Sequence, residues 1–254
     1  MELIRIKNEE LERYEAVLMR RDAFRKEAEQ IHMQYLSVFG DLMSEVFKQK
    51  IECIKKKKMI AYCQRKINQG KMIDMYSLNE YIDLEMAEYR IELDQMIQTI
   101  DALKKSGTVT ESELRKIKQL YRGIVKMIHP DVRPGFDEDE MIRTFWLDTV
   151  IAYRHNDLSK LEELDVMIKA YLQDRNIDVG EIVVENIKEK IEEAEKEITQ
   201  IISTDPYQYR FILEDPNAVK EKNEELKEEL RSFRDYSEQL DSVLAEFDIK
   251  EMYA

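Results

Sequence analysis

Apolar residues recur at steps of three and four along most of the chain, a spacing that predicts helices almost throughout. Asn8 is a suitable N-cap for a first helix in which Leu11, Tyr14, Leu18, Phe24, Ala28, Ile31, Tyr35 and Leu36 keep this step up to Gly40, which reads as a stop. Asp41 can cap a second helix with Phe47, Ile51, Ile54 and Ala61 on one face, ending near Gly70. Together they predict a long N-terminal helical hairpin over residues 1–75.

The most regular stripe follows. Ser77 and Glu80 form a Ser-x-x-Glu capping box, and Leu78, Ile82, Met86, Tyr89, Leu93, Met96, Ile100 and Leu103 lie behind it at three- and four-residue steps. So narrow a stripe is a seam for another long helix, in this chain or in a second copy, and Gly107 ends it. Thr110 can cap the next helix, Asp137 a helix carrying Ile142, Trp146, Val150 and Tyr153, and Asp157 one carrying Leu158, Leu161, Leu164, Ile168 and Tyr171. Residues 76–175 then form a module built on a long helix. Residues 176–254 pair an Ile-rich helix (Ile187, Ile191, Ile198, Ile202) with a Glu-rich one (Leu226, Leu230, Phe233, Leu240, Leu244, Phe247) as a C-terminal antiparallel hairpin. The fold class is all-α: elongated antiparallel helical hairpins or coiled coil, with the module embedded between them.

Composition sharpens this picture. Of 254 residues 37% are charged, with only six Gly and four Pro, which suits long solvated helices with few turns. No apolar run is long enough for a membrane span, and the start MELIRIKNEE lacks the features of a signal peptide, so a cytoplasmic location is expected. Cys53 and Cys63 lie ten apart within a helix, facing different ways, and read as reduced thiols. The three His residues, at 32, 129 and 155, have no metal-ligand spacing, so neither metal nor cofactor is expected. His129, Asp131 and His155 are too poor a set for catalysis, so no enzyme is expected.

A net charge of −14 argues against a general nucleic-acid binder. Basic residues nevertheless cluster over 48–71 and 114–133, while the chain beyond 181 is acidic. The Lys55–Lys58 run is a solvated face, or a partner for the acidic C-terminal part.

The second basic island contains LYRGIVKMIHPDVRPG, residues 120–135. Ile117, Leu120, Tyr121, Ile124 and Ile128 share one helix face, while Arg115, Lys118, Arg122 and Lys126 share the opposite one. Pro130 stops the helix, and Pro134-Gly135 turns the chain again. The outcome is a short loop that places an imidazole and a carboxylate at the end of a basic ridge.

This stretch resembles helix II and the loop of a J-domain, the co-chaperone module of DnaJ-like proteins. Tyr121 stands eight residues before His129, as in the family, and Trp146 takes the place of the family's buried aromatic. Ala152-Tyr153 match its Ala-Tyr pair. The likeness spans about residues 110–157 and implies docking on a DnaK-type ATP-driven chaperone, whose ATP hydrolysis it stimulates. On that resemblance His129, Pro130 and Asp131 carry the signal, and Arg115, Lys118, Arg122 and Lys126 meet an acidic surface. Tyr121, Ile124, Ile128, Trp146, Ala152 and Tyr153 form the core, with the Tyr121 hydroxyl at its edge.

The stretch departs from the family pattern in four ways. The candidate first helix is the end of the 77–105 stripe, the Leu-Gly element is absent, Gly123 replaces a basic residue, and GFDEDE lengthens the loop. The DnaJ glycine/phenylalanine linker and zinc repeats are missing. The expected function is therefore that of a J-domain co-chaperone or adaptor whose flanking helices hold an unidentified client, with self-association through the long helices. The alternative is a helical assembly scaffold with a J-like fold that does not stimulate.

Overall fold

The computed structural model describes residues 2–105, 110–177, 184, 186–247 and 249–250. In chain order the elements are α1 (Glu2–Asn68), β1 (Ile73–Asp74), α2 (Met75–Glu85), α3 (Ala87–Lys105), α4 (Glu111–Ile128), a 3-10 turn (Phe136–Glu138), α5 (Glu140–Arg154), α6 (Leu158–Asp174), α7 (Ile187–Ser203), α8 (Tyr209–Glu214), α9 (Pro216–Leu244) and β2 (Ile249–Lys250). The all-α expectation holds, relieved among the described residues by a two-residue parallel pairing of β1 with β2.

The N-terminal hairpin is replaced by one continuous helix. α1 runs through both Asn8 and Gly40. Gly40 keeps a negative φ, and a Cβ there would lie 2.9 Å from Ile100, so this glycine makes room for α3 rather than ending a helix. Gly70 does end α1: its φ is +66°, and the Lys71 N–H donates back to the Lys66 carbonyl.

The chain divides into two compact units, Met1–His32 with Gly107–Tyr209, and Met33–Ser106 with Arg210–Ala254. They cut across the expected divisions at 75 and 175. α7 belongs to the first unit and α9 to the second, so the expected C-terminal hairpin is not a compact unit.

In the second unit the stripe of the middle segment is buried at Leu78, Ile82, Met86 and Ile100 and half-buried at Tyr89, Leu93 and Met96. Leu78, Ile82 and Met86 pack with Ile51, Tyr62 and Cys63 of α1, so α1 covers the seam. Asp74, not Ser77, caps α2: its carboxylate accepts from the Ser77 N–H at 2.7 Å. The expected single helix is interrupted at Met86, whose N–H still reaches Ile82. The expected stop at Gly107 lies outside the described residues. Lys56 of the basic run is tied to Ser237 and Asp241 of α9, which is the pairing with the acidic C-terminal part. Cys53 and Cys63 are unbridged and buried, and burial pushes both thiols up.

In the first unit α4, α5, α6 and α7 close a core with the start of α1. Tyr14, Val17 and Leu18 of α1 pack among Ile117, Tyr121, Ile124, Phe145, Leu161, Leu164 and Ile198. Each such side chain, fully buried, contributes about 1.5–3 kcal/mol. The helix that packs against α4 is thus the start of α1, not the 77–105 segment, which lies in the other unit. Thr110 caps α4 as the sequence predicts, in a reciprocal capping box with Glu113 that was not part of that expectation, and Asp157 caps α6. Asp139 rather than Asp137 caps α5, because a 3-10 turn delays its start.

Candidate functional site

α4 has the two faces that its sequence predicts. Ile117, Tyr121, Ile124 and Ile128 are buried, while Arg115, Lys118, Arg122 and Lys126 are exposed. The spacing explains both, since positions three and four apart align on one side of a helix. Leu120 and Gly123 are half-buried and line a cleft with Glu162, Asp165 and Lys169 of α6. Gly123 therefore faces the α6 side of α4 rather than the ridge, with open space where a Cβ would stand.

The loop after α4 is closed by its own hydrogen bonds. The N–H groups of Val132 and Arg133 donate to the His129 carbonyl at 3.0 and 2.8 Å, and Arg133 Nε donates to the Lys126 carbonyl at 3.1 Å. These contacts satisfy helix-end carbonyls that would otherwise be left over. His129 Nδ1 accepts from the Asp131 N–H at 3.0 Å.

The imidazole is not displayed, contrary to the sequence expectation. His129 is 1% exposed and stands edge-on to Trp146, with ring centroids 4.4 Å apart. Burial pulls its pKa down to about 4, although the carboxylates of Asp131 and Asp22 act the other way. The ring is therefore neutral at pH 7. Because Nδ1 accepts, its proton sits on Nε2, which is buried with no hydrogen-bond partner among the described residues. What the loop offers outward is Asp131, whose side chain is 43% exposed.

The residues expected around the loop come together. Tyr121 stacks on Tyr153 of α5 at 3.9 Å between centroids, and Ala152 is buried beside it. Trp146 is only half-buried; the deeply buried aromatic is its neighbour Phe145. Nor does the Tyr121 hydroxyl sit at an edge: it donates to Asp22 at 2.7 Å inside the protein, and burial with that carboxylate raises its pKa far above the ordinary value.

α1 supplies charges that sequence reasoning did not assign to the site. Arg21 is nearly buried among three carboxylates, at 3.3 Å from Asp22 and 3.5 Å from both Asp131 and Glu197. Glu15, also buried, pairs with Lys126 at 3.1 Å. Lys26 lies 4.0 Å over the Tyr153 ring, and burial together with Lys118 pulls its pKa down to about 8. Arg21, Asp22, Arg25, Trp146, Val150 and Ile151 help line a cleft of about 530 Å³ beside the loop. The only sequence signal for these residues is polarity at helix positions next to Val17 and Leu18.

His155 is exposed at the C-cap of α5. Among the described residues no group of three or more His, Cys, Asp or Glu side chains is placed to hold a metal ion, and no helix is long and apolar enough to cross a membrane. Scans of protein-family models, curated proteins and solved structures find no match to the chain, so its functional reading rests on the geometry of this site.

Proposed function

We propose that the protein is a co-chaperone or adaptor of the J-domain kind. Its first unit docks on a DnaK-type ATP-driven chaperone and stimulates ATP hydrolysis through His129, Pro130 and Asp131, and catalysis belongs to the partner. Flanking helices hold the client. One observation carries this reading: a loop fixed by its own hydrogen bonds turns a half-exposed Asp131 carboxylate outward at the end of a helix whose outer face carries Arg115, Lys118 and Arg122. A rigid loop loses little conformational freedom on binding, and the ridge steers it towards an acidic surface.

The neutral, buried His129 fits a positioning role, since its Nδ1 fixes the backbone N–H of Asp131. The second reading is an assembly scaffold with a non-stimulating loop. It is favoured by the internal pairing of Asp131 with Arg21 and of Lys126 with Glu15.

Single-turnover ATP hydrolysis by the host's DnaK-type chaperone separates the two. The co-chaperone reading expects acceleration by the full chain and its loss in Asp131→Asn. The absence of acceleration supports the scaffold, and acceleration that survives the substitution overturns the role given to the loop.

A further inference from the structure

Two groups on the docking surface already have partners inside the chain, and both partners come from α1. Glu15 holds Lys126 at 3.1 Å, and Arg21 holds Asp131 at 3.5 Å. One partner is acidic, set against the basic ridge, and the other is basic, set against the loop carboxylate. α1 and α4 run antiparallel here, since Glu15 meets Lys126 while Asp22, further along α1, meets Tyr121, earlier on α4.

α1 is held in place by Tyr14, Val17 and Leu18 in the core, so it does not lift away as a lid. Any competition takes place between side chains. We propose that α1 carries a built-in electrostatic competitor for the docking surface: a partner must take Asp131 from Arg21 and Lys126 from Glu15, and this competition limits its affinity. The proposal rests on the co-chaperone reading and names how the same site is regulated.

The two exchanges differ in difficulty. If Asp131 exchanges Arg21 for the partner, Arg21 keeps Asp22 at 3.3 Å and Glu197 at 3.5 Å, so its charge stays compensated. If Lys126 turns outward, Glu15 is left as a carboxylate only 7% exposed, with no other cation paired to it among the described residues. Stranding a buried charge costs far more than breaking a surface pair. Lys126 is therefore the harder of the two for the partner to take, and Arg115, Lys118 and Arg122, which have no ion pair among the described residues, make the first contact.

The test is a binding titration of the full chain against the ATP-bound DnaK-type chaperone at several salt concentrations. Glu15→Gln should free Lys126, tighten binding about three- to tenfold, equivalent to roughly one charge contact, and steepen its salt dependence. Adding Lys126→Ala should cancel that gain, which a merely structural role for Glu15 does not predict. Arg21→Met should tighten binding independently by releasing Asp131, and it keeps the proposal open to test should Glu15→Gln fail to fold. Absence of tightening in folded variants, or a Glu15→Gln gain that survives Lys126→Ala, overturns the competitor. If the unmodified chain still accelerates ATP hydrolysis through Asp131, the co-chaperone reading stands without it. If neither the unmodified chain nor any variant binds or accelerates hydrolysis, both fall.

Discussion

Asp22 does three things at once. It accepts from the buried Tyr121 hydroxyl at 2.7 Å, pairs with Arg21 at 3.3 Å and faces Arg25 at 3.9 Å. Removing it strands the Tyr121 phenol away from water and takes from Arg21 the nearest of its three carboxylates, and breaking a buried charged pair from one side costs about 3–5 kcal/mol. Asp22→Ala should therefore lower the free energy of unfolding by about that amount, as read from a denaturant titration.

Lys26 gives the opposite case, a buried cation over an aromatic ring with a second lysine acting against it. Its pKa is about 8 in the folded chain against an ordinary 10.5. The unfolded chain thus binds more protons between these values, and this group's contribution to stability rises as the pH climbs from about 8 to 10.5. Lys26→Met should be more stable than the unmodified protein at pH 7, and its advantage should shrink across that window. An advantage that does not change with pH would show that Lys26 is not the strained group.

At this scale the sequence is legible only where partners are close along the chain. The Thr110 cap and the His129-Pro130 stop could be read directly, whereas the link from Tyr121 to Asp22 crosses 99 positions with no local signal. Proximity to the end of a helix suggested a displayed imidazole; the packing of Trp146, which no local pattern contains, buries it.

Glycine shows what an element's pattern leaves open. Gly40 and Gly70 read alike as helix stops, yet only Gly70 adopts the left-handed conformation that a stop requires. At Gly40 the deciding contact is Ile100, on a helix still to come in the sequence. Gly123 lies within α4 with open space where a Cβ would stand. Since glycine costs a helix interior about 1 kcal/mol relative to alanine, Gly123→Ala should stabilise the protein by about that much in the same denaturant titration. A loss of stability there would mean that α4 needs its backbone freedom.

The apolar stripe of α2 and α3 was legible as a seam, but its period does not say which helix it meets. The face of α1 carrying Ile51, Tyr62 and Cys63 settled that within the chain.

The whole molecule is organised by α1, which supplies its first residues to one unit and the rest to the other. Domain boundaries read from composition assume that consecutive segments fold together; a helix of 67 residues breaks that assumption, because its two parts join cores built from distant segments. Charge follows the same arrangement. The chain carries a net −14, yet the first basic island is drawn into pairs such as Lys56 with Asp241, and the second keeps Arg115, Lys118 and Arg122 on an exposed face.

On the proposed function, a DnaK-type chaperone docks on this face and the adjoining loop. Backbone NMR of the full chain during titration with the ATP-bound chaperone tests it directly. The account predicts that shift changes and line broadening concentrate on Arg115, Lys118, Arg122 and residues 129–133, weaken with added salt, and leave α2, α3 and α9 unchanged. Perturbations confined to those three helices, or none at any concentration of the chaperone, would contradict it.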